Sequence, residues 1–140
     1  MIILDTNVVS ELVKPTPSPA VIGWIDMRDS SDLVITAVTA AEVRAGVAVL
    51  PDGRRKREFA LRMESLLTDT FAGFVLSFTI DSSAFYAQIL AARKKSGQPI
   101  STFDAQIAAV CLQHEATLAT RNIADFTATR IELINPWETG

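Results

Sequence analysis

The sequence predicts an α/β fold, a mostly parallel central sheet of about five strands with helices on both faces. Three observations predict it. The short apolar runs Ile2-Ile3-Leu4 and Leu33-Val34-Ile35 have the length and continuity of strands buried on both faces. Stretches with apolar residues at helical spacing separate such runs. Strands that alternate with helices close into parallel sheets covered on both sides.

Taken in order, the first strand ends in a turn at Asp5-Thr6-Asn7. Residues 8–13 read as a helix through Val9, Leu12 and Val13, broken by Pro15, Pro17 and Pro19. Ser18 caps a new helix with Pro19 at its first position, carrying Val21, Ile22, Trp24 and Ile25. After the second strand, residues 39–50 form a helix ended by Pro51-Asp52-Gly53. Residues 55–67 form another, with Phe59, Met63, Leu66 and Leu67 on one face. A third strand at 74–78 precedes a helix at 82–95, which stops at Gly97-Gln98-Pro99. Ser101 caps the helix through Ile107, Ala108, Cys111 and Leu112, and two strands at 117–120 and 130–134 close the pattern. With no internal repeat, and the proline stretch serving as a joint between helices, residues 1–140 read as one domain.

A chain of 140 residues that is 49% hydrophobic and 21% charged builds its own core and needs no staple. One cysteine, Cys111, and one histidine, His114, exclude an intramolecular disulfide and argue against a Cys/His zinc site. The apolar start stops at Asp5 without a basic leader, and no run reaches a membrane span, so the expected location is cytoplasmic. The net charge of −3 runs against a whole-surface basic footprint for nucleic acid. Local basic groups remain: Arg54-Arg55-Lys56-Arg57 and Arg93-Lys94-Lys95, which read as solvated helix faces, and the single residues Arg44, Arg121 and Arg130.

The acids carry the chemistry. Asp5 stands at the carboxyl end of the first strand, where open α/β sheets place ligands, and also reads as a cap for the helix after it. Thr39 to Glu42 and Ser101 to Asp104 each have capping-box spacing, so Glu42 and Asp104 alone read as caps too. Together they read differently. Each begins a helix, the first turns of such helices open on the same sheet edge, and the flanking residues are apolar. Two carboxylates about 4 Å apart repel by about 4 kcal/mol at an effective dielectric near 20, and a third needs protons or a cation. An all-oxygen site without His or Cys selects Mg²⁺ or Mn²⁺, which activates water and neutralises phosphoryl charge. Thr6, Asn7, Thr120 and Asn122 add hydroxyl and amide groups at the same edge, where they also read as turn caps. Asp125 is a further acid or a surface turn residue.

Four segments stand out: Ile3-Leu4-Asp5-Thr6-Asn7, Thr39-Ala40-Ala41-Glu42-Val43-Arg44-Ala45-Gly46, Asp104-Ala105-Gln106-Ile107-Ala108-Ala109 and Leu118-Ala119-Thr120-Arg121-Asn122-Ile123-Ala124-Asp125-Phe126, with Leu133-Ile134-Asn135-Pro136-Trp137 as a close. Together they resemble the PIN-domain family, in its FitB-like group of VapC-type bacterial toxins. The resemblance spans nearly the whole chain in order. It implies a divalent-cation-dependent endoribonuclease, the toxin of a toxin–antitoxin pair, usually a homodimer, with an antitoxin whose tail occupies the acidic cleft. Asp5 and Asp104 correspond to direct metal ligands, and Glu42 completes the site directly or through water. The family often has a fourth acid in the last motif; here the position is Asn122 and the nearest acid is Asp125. Arg44, Arg121 and the Arg54 to Arg57 cluster are candidates for steering the RNA backbone.

Other classes fit less well. A phosphatase with Asp5 as nucleophile normally carries a second Asp where this chain has Asn7, and no suitable Lys is evident. A flap-type DNA nuclease needs helical additions for which the chain is short. A catalytically silent PIN-fold binding module would use the three acids as caps alone, and metal affinity separates it from the nuclease.

Overall fold

A computed structural model of the chain describes residues 1–138. Five parallel strands lie in the order β3-β2-β1-β4-β5: β1 Ile2–Leu4, β2 Leu33–Thr36, β3 Val75–Leu76, β4 Thr117–Ala119 and β5 Leu133–Ile134. The helices are α1 Thr6–Leu12, α2 Pro19–Asp26, α3 Ala37–Ala48, α4 Arg54–Ser65, α5 Ile80–Lys95 and α6 Thr102–Gln113. The α/β expectation is met.

Side-chain alternation along the central strands feeds two cores. Leu4, Leu33 and Ile35 face Val8, Val9, Val21, Trp24, Met63 and Phe71, a layer drawn from α1, α2, α4 and the turn beyond it. Ile3, Val34 and Leu118 face the other way, onto Ile89 of α5 and Ile107, Ala108 and Cys111 of α6. Helices therefore cover both faces. Burial among apolar groups pushes the Cys111 thiol up, which keeps it protonated.

Several boundaries move for local reasons. Helix α1 starts at Thr6 because Asp5 caps it, its Oδ1 accepting the Thr6 N–H at 2.8 Å. Helix α3 starts at Ala37 because the cap is Thr36, whose Oγ1 accepts the Thr39 N–H at 3.1 Å. The expected capping box at Thr39 is thus displaced by one turn, and Glu42 lies inside the helix. Helix α4 runs into a π-helical turn, Leu66–Thr70. The last strand is confined to Leu133–Ile134, since Ala128 and Arg130 take positive φ values of 61° and 65° that no strand accommodates. No helix among the described residues is long and apolar enough to cross a membrane.

The strand order matters most. The chain steps outward from β1 through β2 to β3, then returns to lay β4 on the other side of β1. That reversal opens a crevice beyond the carboxyl ends of β1 and β4.

Candidate active site

Asp5 leaves β1 at the mouth of this crevice and is only 4% exposed. Both of its oxygens are engaged. Oδ1 caps α1, while Oδ2 accepts from Thr120 Oγ1 at 2.8 Å and from Asn7 Nδ2 at 3.3 Å. Burial pushes the carboxyl up to about 6, against the lowering effect of the Thr120 and Thr6 hydrogen bonds, with the charges of Asp104 and Glu42 adding to the rise.

Thr120 follows β4 directly and is fully buried. Its hydroxyl gives its one proton to Asp5 and accepts from Asn7 Nδ2 at 3.3 Å and the Asn122 N–H at 3.1 Å. Asn7 completes the bridge, accepting the Arg121 N–H on Oδ1 at 3.2 Å. The two switch-point strands are thereby tied through side chains.

Glu42 is reached through a chain of hydroxyls. Thr6 Oγ1 donates to Glu42 Oε1 at 2.7 Å and lies 3.2 Å from Thr39 Oγ1. Thr6 has one hydroxyl proton, so Thr39 is the donor in that second contact. The carboxylate is therefore aimed by α1, not consumed in capping α3.

Asp104 sits in the first turn of α6, where its N–H donates to Ser101 Oγ at 3.2 Å. Its half-buried carboxyl is raised, first by burial, then by the charges of Asp125 and Glu42, with Ser101 and Arg93 acting the other way. Asp5, Glu42 and Asp104 line one cleft of about 420 Å³, together with Thr6, Asn7, Ser10, Glu11, Lys14, Arg121, Asn122 and Trp137. Among the described residues no three acidic, His or Cys side chains come together in a group that could hold a metal ion as they stand. The acids share a cleft and sense one another's charge, but they are more open than the crowding expected from sequence.

Two matches carry the family assignment. The PIN-domain family matches residues 2–131. The VapC ribonuclease Y4jK of Sinorhizobium fredii is 44% identical over 138 residues, 99% of each chain. The chain belongs to the PIN-domain family. Toxin FitB of Neisseria gonorrhoeae is 41% identical over 137 residues, 98% of this chain and 99% of that one. A solved structure of FitAB bound to an IR36 DNA fragment contains a chain that superposes with a TM-score of 0.92 at 41% identity, covering 100% of this chain and 98% of the other.

Within this PIN fold, the other sequence candidates separate. Arg121 and Asn122 line the cleft; Asp125 is exposed and close enough to Asp104 to raise its carboxyl. Arg44 is outside the cleft lining, its guanidinium forked onto Glu64 of α4 at 2.8 and 3.0 Å. In the Arg54 to Arg57 cluster, Arg54 pairs with Glu58 at 2.9 Å, Arg55 lies over the Phe59 ring, and Lys56 donates to Ala48 O and Asp52.

Arg93 corrects the solvated-face reading of its cluster. It is 5% exposed and donates to the carbonyls of Gln98 and Thr127, the latter at 2.7 Å, with longer contacts to Pro99 O and Ala124 O. It ties the segment leading into α6 to the turn that carries Asp125. Sequence reasoning also passed over Ser10, Glu11 and Lys14 in the cleft. Helical spacing from Asn7 to Ser10 and Glu11 was the available signal for those two.

Proposed function

We propose that this chain is a Mg²⁺- or Mn²⁺-dependent endoribonuclease, the toxin of a toxin–antitoxin pair. The observation that carries this reading is the buried Asp5 carboxyl, pushed up to about 6 in a cleft it shares with Glu42 and Asp104. A desolvated carboxylate that shares a cleft with two others is relieved by a cation, and the donor set is all oxygen, which fits a hard divalent ion. Asp5, Asp104 and Glu42 would hold it, with Asn122 or Asp125 completing the shell. When bound, the ion supplies charge neutralisation at a phosphodiester and a more acidic water.

The chain's own residues do the positioning. Thr120, Asn7 and the Thr6 N–H hold Asp5 in one orientation, and Thr39 and Thr6 hold Glu42. Arg121 contributes positive charge at the cleft for the RNA backbone. Arg44 would join it only by giving up Glu64.

The names of the relatives support the toxin role, since FitB is called a toxin and Y4jK a ribonuclease. An apolar groove of about 530 Å³, lined by Val43, Val47, Leu50, Phe59 and Met63, adjoins the cleft through Ser10, Lys14 and Glu42. It suits an apolar segment of an antitoxin whose tail enters the cleft. The homodimer follows from the resemblance and is measured by light scattering.

The test incubates purified protein with total cellular RNA, with Mn²⁺ or with chelator, and maps new ends. Cleavage should require the metal and fall by orders of magnitude in Asp5→Asn and Asp104→Asn. Calorimetry should show both variants losing Mn²⁺ affinity. Unchanged affinity in both would return the protein to the silent binding-module reading.

A further inference from the structure

We propose that Arg121 and Trp137 form a stacking platform for a nucleobase of single-stranded RNA beside the acidic cleft, an inference that rests on the ribonuclease reading. The Arg121 guanidinium carbon lies 5.0 Å from the centroid of the Trp137 ring, and both residues line the cleft with the three acids.

Strand register places them together. Ala119 of β4 pairs with Ile134 of β5, and the Thr120 N–H donates to Ile134 O at 2.9 Å, so the segments leaving the two strands emerge side by side. Asn135 Oδ1 accepts the Trp137 backbone N–H at 2.9 Å, which fixes the turn that carries the ring just beyond β5. Asn7 accepts the Arg121 N–H while donating to Asp5, so one side chain sets the platform's distance from the buried carboxylate.

The charges point the same way. Lys14, the other cation in the cleft, is held by Glu11 at 3.1 Å. Arg121 is exposed and takes part in none of the ion pairs among the described residues. A guanidinium plane backed by an indole offers a π-face and a positive charge to an unstacked base, the combination by which single strands are bound. A base within a duplex cannot reach it.

The full chain carrying Trp24→Phe leaves Trp137 as the only tryptophan of the two. Its emission is followed on titration with an unstructured 12-nucleotide RNA in EDTA, so that binding is read apart from turnover. The RNA should quench Trp137. The same 12-mer made of abasic nucleotides, and a 12-base-pair duplex, should not. Removing the bases, or making Trp137→Leu in the Trp24-containing chain and reading binding by anisotropy, should weaken Kd roughly 5- to 150-fold. Trp137→Phe should keep most of the affinity. In Mn²⁺ assays Trp137→Leu should raise KM more than it lowers kcat. If Trp137→Leu fails to fold by circular dichroism, Arg121→Met carries the same comparison. Equal Kd for normal and abasic RNA, or a Kd unmoved in Trp137→Leu, overturns the platform. Stacking-dependent binding with no cleavage in Mn²⁺ supports the platform and removes the hydrolytic reading instead.

Discussion

Thr120 Oγ1 donates a 2.8 Å hydrogen bond to Asp5 Oδ2 across 115 residues of chain. It joins the ends of β4 and β1 at the switch in strand order and is the largest influence holding the Asp5 carboxyl down against burial. Thr120→Val deletes that donor and strands the Asn122 N–H. It should cost about 1–3 kcal/mol, read as a lowered urea midpoint at pH 7. Asp5 should titrate still higher by carboxyl NMR, and Thr120→Ser should restore both values.

The stability contributed by the Asp5 site should fall as pH rises from about 4 to 6. The folded Asp5 carboxyl keeps its proton to about 6, whereas the unfolded one releases it near 3.8, so the folded state binds more protons in that window. The raised Asp104 carboxyl acts in the same direction. Asp5→Asn should match the wild type near pH 4 and exceed it at pH 7 by up to about 3 kcal/mol in urea melts without metal. Mn²⁺ should stabilise the wild type and leave the variant unchanged.

Thr6→Val should weaken Mn²⁺ binding roughly 10- to 100-fold, because it removes the hydroxyl that aims Glu42. Calorimetry measures this. The melting temperature should move little, since Thr6 is only partly buried, and Thr6→Ser should recover the affinity. An affinity unchanged in Thr6→Val would mean that Glu42 stays outside the coordination shell.

Arg93→Met should destabilise by about 1–3 kcal/mol for each carbonyl left without a partner, chiefly Gln98 and Thr127. Lys94→Met, next to it but exposed, should stay within about 0.5 kcal/mol of wild type. Paired urea denaturation curves give the contrast.

The sequence alone was enough for the alternation of strands and helices, for Asp5 at the end of the first strand and for Asp104 in the first turn of a helix. Those are short-range properties. An all-buried run such as Leu33–Thr36 and a 3.6-residue apolar period are visible within a few residues because burial and backbone periodicity act locally. Asp5 was legible for the same reason: it ends an apolar strand and caps the following helix through its own neighbour. What tertiary structure decided is which distant groups those residues meet. Thr36 takes the capping role from Thr39, which leaves Glu42 free for Thr6, 36 residues away. Arg93 looked like one of three solvated charges until two loops folded their carbonyls over it, and Arg44 met Glu64. Arg121 and Trp137 are brought together by β4–β5 pairing. Strand order and register set these contacts through packing of the whole sheet, and no local window of residue types records them.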